Sequence, residues 1–498
     1  MSLIRINYNL LSNYISQIYL IIISIIVLPI YINKLGSEAY GLIAFFGMLQ
    51  GLFVLLDLGL SQTLSHQTAN YNAGAITSLD YRKINRSLSL VFYFLGFLGV
   101  IFLLISHDFL IKKWLKINDL NLVEVSFSMY VMIFCIYFKW VSSIYRGILV
   151  GFEKIIWLSY ANSCFATFRF LGVLFYMHFN GYTLTNFFSF QLMVSFVEYL
   201  TFFLKANNCL PKNLSEKIGF SLKPLKNVMN LSLMLAFSSL IWVLLTQLDK
   251  LVLSGIIPLN DYGYFSLATL VAGGIIQISA PISAVIMPRM ANLFAKGEVV
   301  EMKAVYQSMT EFFMVFVFTA AIVLASVSNP FLFLWSGDQS LANKASIILS
   351  LYVVGNAFFI LNMFPFYIQY ALGNLKYHAI GSILQLIFLI PSIIFVSKNY
   401  GAIGAACTWL VVQILVFLLW VPWVHKKIYS DINKPWFRTI FKILPSALFV
   451  MLVCRNIDFS DDRLVVFFQI FSISLITLLI SILTSKRIGA RIGFFLRK

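Results

Sequence analysis

The chain has 498 residues, is 60% hydrophobic and only 11% charged, and carries a formal net charge of +17. Soluble domains hold about 25% charged residues, so a string of soluble domains is excluded, and no polar gap is wide enough to house one. The basic residues sit in short segments between apolar runs, which assigns them to membrane topology and anionic lipid, not to nucleic acid.

Apolar runs predict an all-α polytopic membrane protein with fourteen transmembrane helices. They fall at 14–32, 40–64, 87–106, 123–147, 156–178, 187–204, 228–257, 262–288, 307–334, 345–371, 378–397, 402–424, 439–454 and 464–484. Most are near the roughly 20 residues that a helix needs to cross a bilayer. The first run lacks a small-residue cleavage site after it and is expected to be a retained helix. Of the 36 Lys and Arg, 25 fall in the segments and span ends on the side of the N-terminus, eight in the opposite loops and three deeper within spans. Both termini are therefore expected in the cytoplasm. Five cysteines (Cys135, Cys164, Cys209, Cys407, Cys454) have no CxxC or metal spacing and read as small hydrophobes.

An internal repeat organises the chain. Leu35–Gly41 (LGSEAYG) follows the first span and Ile257–Gly263 (IPLNDYG) follows the seventh, with their Tyr-Gly pairs 222 residues apart. At the same offset Leu149–Lys154 (LVGFEK) lies opposite Ala371–Lys376 (ALGNLK), pairing Gly151 with Gly373. Six spans per repeat is an even number, so the halves enter the membrane in the same orientation, as two lobes about an axis along its normal. The expected divisions are a six-helix lobe over 1–206, a cytoplasmic linker over 207–227 and a second six-helix lobe over 228–425. Residues 426–498 supply two accessory helices and a basic cytoplasmic tail.

Four stretches, Leu28–Phe45, Leu55–Leu64, Tyr145–Lys154 and Gln247–Ala268, resemble the Wzx-type flippases of bacterial O-antigen and other surface polysaccharides. A fifth, Pro288–Glu298, is similar to the segment after the eighth helix of that family. These flippases belong to the multidrug/oligosaccharidyl-lipid/polysaccharide exporter superfamily. The resemblance spans roughly residues 10–425 and implies a two-lobed bundle in the bacterial cytoplasmic membrane. It implies a substrate, undecaprenyl-diphosphate-linked oligosaccharide, passed from the inner to the outer leaflet through a central cavity by alternating access. Membrane lipids and other polysaccharide-assembly proteins are the further partners it suggests.

Such a substrate asks for cations, because a diphosphate is multiply anionic. Lys139 and Arg146 lie seven apart on one face of the fourth span, about 10 Å from each other. With Arg169, Lys250 and Arg289 they form the expected substrate-cavity set. For Arg146 and Arg289, at inner helix ends, snorkelling to head groups is the bland alternative. The intramembrane acids Asp57, Glu198, Asp249 and Glu311 are candidates for proton or sodium coupling, or for pairing with these cations. Asp249 and Lys250 are adjacent, about 100° apart around the helix, and are not expected to pair along one face. No catalytic set, metal motif or phosphate-binding loop is present, so neither an enzyme nor a cofactor is expected. The alternative within the same superfamily is an ion-coupled multidrug cation exporter, which would need an acidic cavity. A membrane glycosyltransferase or polymerase is a more distant one.

Overall fold

The computed structural model describes residues 3–211, 223–454 and 457–485. Much of the linker expected over 207–227 and the basic tail after 485 lie outside the described residues. Among the described residues eighteen α-helices follow in chain order. In the first half they are α1 (Leu3–Leu35), α2 (Ser37–Phe53), α3 (Leu60–Asn72), α4 (Ser78–Phe109), α5 (Leu122–Gly151), α6 (Ile155–Thr167), α7 (Val173–Asn180), α8 (Leu184–Cys209) and α9 (Lys223–Ile256). In the second they are α10 (Leu259–Ala295), α11 (Val299–Phe313), α12 (Thr319–Ser326), α13 (Ser328–Ser336), α14 (Gln339–Ala371), α15 (Lys376–Leu415), α16 (Val421–Ile428), α17 (Ser430–Cys454) and α18 (Arg463–Thr484). Among the described residues there is no strand beyond one isolated bridge between Lys116 and Pro258. Among the described residues eleven helical stretches are long and apolar enough to cross a membrane, and one of them, Lys376–Ile428, is long enough for two spans. Gly401, with φ 55° and ψ −137°, bends that stretch where the eleventh and twelfth predicted spans meet. This is an all-α polytopic membrane fold.

Two predicted spans are corrected in their continuity. The second does not run unbroken from 40 to 64. It tightens into a 3₁₀ turn over Val54–Asp57, then Leu58 and Gly59 both adopt left-handed conformations before α3 begins. The reason is local: the Asp57 carboxylate takes the backbone N–H of Ser61 at 2.9 Å and its hydroxyl, capping the new helix. The ninth span stops at Ser326 and restarts at Ser328, two residues before Pro330, which fits a first helical turn. The fifth stays helical through a π turn at Phe168–Gly172.

The contacts divide the chain into two compact units, Met1–Gly263 and Tyr264–Lys498. Thus α9, which the repeat offset places in the second lobe, packs on α2, α3 and α4 of the first unit. Within this unit the two Tyr-Gly motifs meet. A Cβ at Gly41 would collide with the Leu259 carbonyl, and one at Gly263 would collide with the Ser37 carbonyl. Each contact maps onto the other at the 222-residue offset. The second pairing needs correction. The turn after α5 and the turn after α14 share one hydrogen-bond pattern, 152→148, 153→150, 154→149 against 372→368, 373→370, 374→369. Glu153 (φ 57°) therefore corresponds to Gly373 (φ 70°), an offset of 220, because the left-handed position, not the letter Gly, is what the turn repeats.

In the first unit α5 is the organising element, packed on α3, α4 and α8. Its GILVG segment closes the contact with α3: a Cβ at Gly147 would stand 2.5 Å from the Ser61 carbonyl, and one at Gly151 2.5 Å from that of Ser65. Small residues four apart let two helices approach to backbone contact, which lipid-embedded helices use in place of a hydrophobic drive.

In the second unit α17 docks on α11 by polar anchors in an apolar setting. Trp436 is fully buried and donates its Nε1–H to Thr310 Oγ1 at 2.9 Å; buried His425 meets Tyr306 Oη at 2.7 Å and Asn433 at 3.2 Å. Asp431, outside the spans, has its carboxyl held below the usual range by the Lys303 ammonium at 2.7 Å. Trp436→Ala is expected to cost about 3–5 kcal/mol and to loosen α17, read as faster proteolysis between α16 and α18 in membranes. Unchanged proteolysis would refute the anchoring role.

Candidate functional site

The first unit holds a cavity of about 440 Å³ between α2 with its 3₁₀ extension and α5. From α2 come Gly47, Gln50, Gly51 and Phe53, from its 3₁₀ extension Val54 and Asp57; from α5 come Ile136, Lys139, Trp140, Ser143 and Arg146. The spacings 47, 50, 51, 54 and 139, 143, 146 each describe one helical face. Gly47 faces open space, with nothing within 4 Å of a Cβ placed there. The missing side chain leaves the room.

Lys139 is exposed on this face and donates to Gln50 Oε1 across the cavity at 2.6 Å. At the next residue the Trp140 ring is fixed: it stacks on Phe92 with centroids 3.7 Å apart and fills the space above Gly96. Its Nε1–H and the Ser143 hydroxyl are buried with no partner among the described residues. Buried polar groups are nearly always satisfied, so these two mark a place where water or a ligand belongs.

Behind the cavity wall stands a charge cluster. Glu198 on α8, 2% exposed, accepts from Arg146 with one carboxylate oxygen and from Arg169 with the other. The Arg146 side chain keeps 35% exposure, and its guanidinium carbon lies 4.5 Å from the centre of the Phe202 ring. Arg169 is more enclosed, at 14%. It projects from the Phe168–Gly172 π turn, an insertion of one residue that re-aims the helix and is common at functional sites. The turn is pinned from outside: Tyr31 Oη donates to the carbonyls of Arg169 and Phe170 at 3.3 and 3.0 Å, and Gln191 Nε2 to that of Arg169 at 2.9 Å.

Lys139, Arg146, Arg169 and Glu198 are thus brought together, with Asp57 on the opposite wall. Lys250 and Asp249 lie in the same unit on α9, whose Gln247 side chain covers Gly51. The expectation that they do not pair is corrected: Lys250 Nζ turns back to within 3.6 Å of Asp249 Oδ1 while donating to the Thr246 carbonyl at 2.6 Å. A flexible four-carbon stem spans the angle that the helix imposes. Arg289 and Glu311 belong to the second unit; Arg289 is exposed, and buried Glu311 accepts the Ser485 hydroxyl at 2.6 Å, fastening the end of α18. Reading charges alone missed Gln50, Trp140, Ser143, Tyr31 and Gln191. The paired helical stripes across Gly47 and Gly51 were the available signal for the first three.

The family model described as polysaccharide biosynthesis protein matches residues 7–294. A relative from Shigella flexneri described as "Putative O-antigen transporter" is 24% identical over 400 residues, covering 80% of this chain and 92% of its own. Among solved structures, a lipid II flippase MurJ in an inward closed conformation superposes with TM-score 0.74 at 16% identity, covering 95% of this chain and 97% of its own. An inward-facing multidrug resistance MATE family transporter of the MOP superfamily follows with TM-score 0.65 at 16% identity, covering 84% and 96%.

Proposed function

Since this chain belongs to the polysaccharide biosynthesis protein family, we infer that it is a flippase that moves undecaprenyl-diphosphate-linked oligosaccharide across the bacterial cytoplasmic membrane. The observation that carries this reading is the sign of the cavity. Lys139 and Arg146 line it against Asp57 alone, and Arg169 adds a further cation behind the wall that Glu198 offsets. Lys139 and Arg146 stand about 10 Å apart along α5, a span that accommodates a diphosphate and the sugar beside it. Arg offers a fork for one phosphate and Lys a point charge for the other. A multidrug cation exporter of the same superfamily would repel its ligand from these walls.

The chain acts as a transporter, not an enzyme, with both termini in the cytoplasm and no cofactor. We assign proton or sodium coupling to Asp57, the acid that lines the cavity. Membrane lipids surround it, and other polysaccharide-assembly proteins are its further partners. Deleting the gene in its host is expected to remove surface polysaccharide and accumulate lipid-linked repeat units at the inner leaflet. Normal polysaccharide with raised sensitivity to cationic dyes would overturn the reading. Asp57→Asn is expected to make transport into proteoliposomes insensitive to an imposed proton or sodium gradient. A gradient response equal to wild type would remove Asp57 from that role.

A further inference from the structure

We propose that Glu198 is a positioning counter-anion that sets how tightly the cavity holds a diphosphate. This rests on the flippase reading above and gives one of its residues a task that the reading leaves open. Glu198 is almost wholly buried and is absent from the cavity wall, so a ligand meets the arginine in front of it and not the carboxylate. Arg146 is held from two sides, by Glu198 Oε1 and by the Phe202 ring 4.5 Å from its guanidinium carbon. A guanidinium has five N–H donors, so the edge turned toward the cavity stays available once Glu198 has taken its share. The carboxylate therefore fixes the plane of Arg146 and presents that edge, much as an outer partner orients a metal-bound histidine.

The same carboxylate limits the charge. Within this cluster Lys139, Arg146 and Arg169 are three cations against the one carboxylate of Glu198, an excess of two that faces Asp57 on the opposite wall. Conduction and transport require binding strong enough to capture and weak enough to release. Three uncompensated cations in a poorly screened site would hold a diphosphate too firmly, since charge interactions strengthen as the effective dielectric falls. Arg169 takes the other oxygen and keeps Glu198 in place whether or not a ligand engages Arg146. Its own position is set by Tyr31 and Gln191, which hold the π turn.

The test uses the full chain in lipid nanodiscs, with undecaprenyl diphosphate as the binding probe, and polysaccharide export in cells as the turnover readout. Glu198→Gln is expected to tighten binding about tenfold and at the same time to slow export. The double variant Glu198→Gln with Arg169→Gln restores an excess of two cations and is expected to return binding to within about threefold of wild type. Arg146→Ala loses binding. Weaker or unchanged binding in a folded Glu198→Gln protein overturns the proposal, and so does a double variant that binds no differently from the single one. In either of those two cases, wild type that binds and Arg146→Ala that does not leave the flippase reading standing, and this proposal alone has failed. If wild type does not bind the probe, both fall.

Discussion

Arg146→Ala is expected to abolish surface-polysaccharide export while the protein remains in the membrane at close to its normal level. Arg146 is the cation that both lines the cavity and has a fixed orientation. Hydrogen bonds to charged groups are worth about 1.5–3 kcal/mol each, so losing two to a phosphate slows transport by at least about a hundredfold. Glu198 keeps Arg169 in this variant, so no buried carboxylate is stranded. Arg169→Ala differs, because it strips the more enclosed partner and leaves the carboxylate to a half-exposed one. Breaking a buried pair costs about 3–5 kcal/mol, and lower abundance is expected alongside lost export. Quantitative immunoblots beside polysaccharide gels separate the two. Wild-type export from Arg146→Ala would end the cationic-cavity account.

Gly147→Leu is expected to prevent stable folding. Its Cβ would press on the Ser61 carbonyl, backbone that cannot turn aside, in the contact that joins α3 to α5. Overpacking of side chains costs about 1–3 kcal/mol, occasionally more, and a backbone collision belongs at or above the upper end. The melting temperature in detergent should fall sharply or the protein should be absent. Gly47→Leu is the matched control. It faces open space, so folding should survive while the cavity fills and export stops. Equal melting temperatures for wild type and Gly147→Leu would refute the packing argument.

Hydropathy made most of the fold legible, because a bilayer forces long apolar helices on any chain that crosses it. It missed the break at Leu58–Gly59, since hydropathy gives no sign that an aspartate inside a span also caps a new helix. It also had no means to see π turns, whose extra residue leaves hydrophobicity unchanged. The repeat was readable where sterics demand glycine at both copies, as at Gly41 and Gly263. It was misaligned where the backbone repeats a left-handed residue that Glu153 supplies in one copy and Gly373 in the other. Charged residues within spans pointed to Lys139, Arg146, Arg169 and Glu198 because their burial is costly without a task. Spacing alone could not separate them from Glu311, which fastens a helix end, or from Lys250, which folds back on its neighbour. The neutral partners Gln50, Trp140 and Ser143 carry no such cost signal; only their helical spacing marks them, and it gains meaning when α2 and α5 face each other.

The most direct test of the cationic cavity is flipping measured in proteoliposomes containing the purified full-length chain. A fluorescent undecaprenyl-diphosphate-linked oligosaccharide and a lipophilic cationic dye are followed across the bilayer in the same preparation. Wild type should move the lipid-linked sugar and leave the dye, and a variant with Lys139→Ala and Arg146→Ala should move neither. Transport of the dye without the lipid-linked sugar, or undiminished flipping by the double variant, would contradict the assignment.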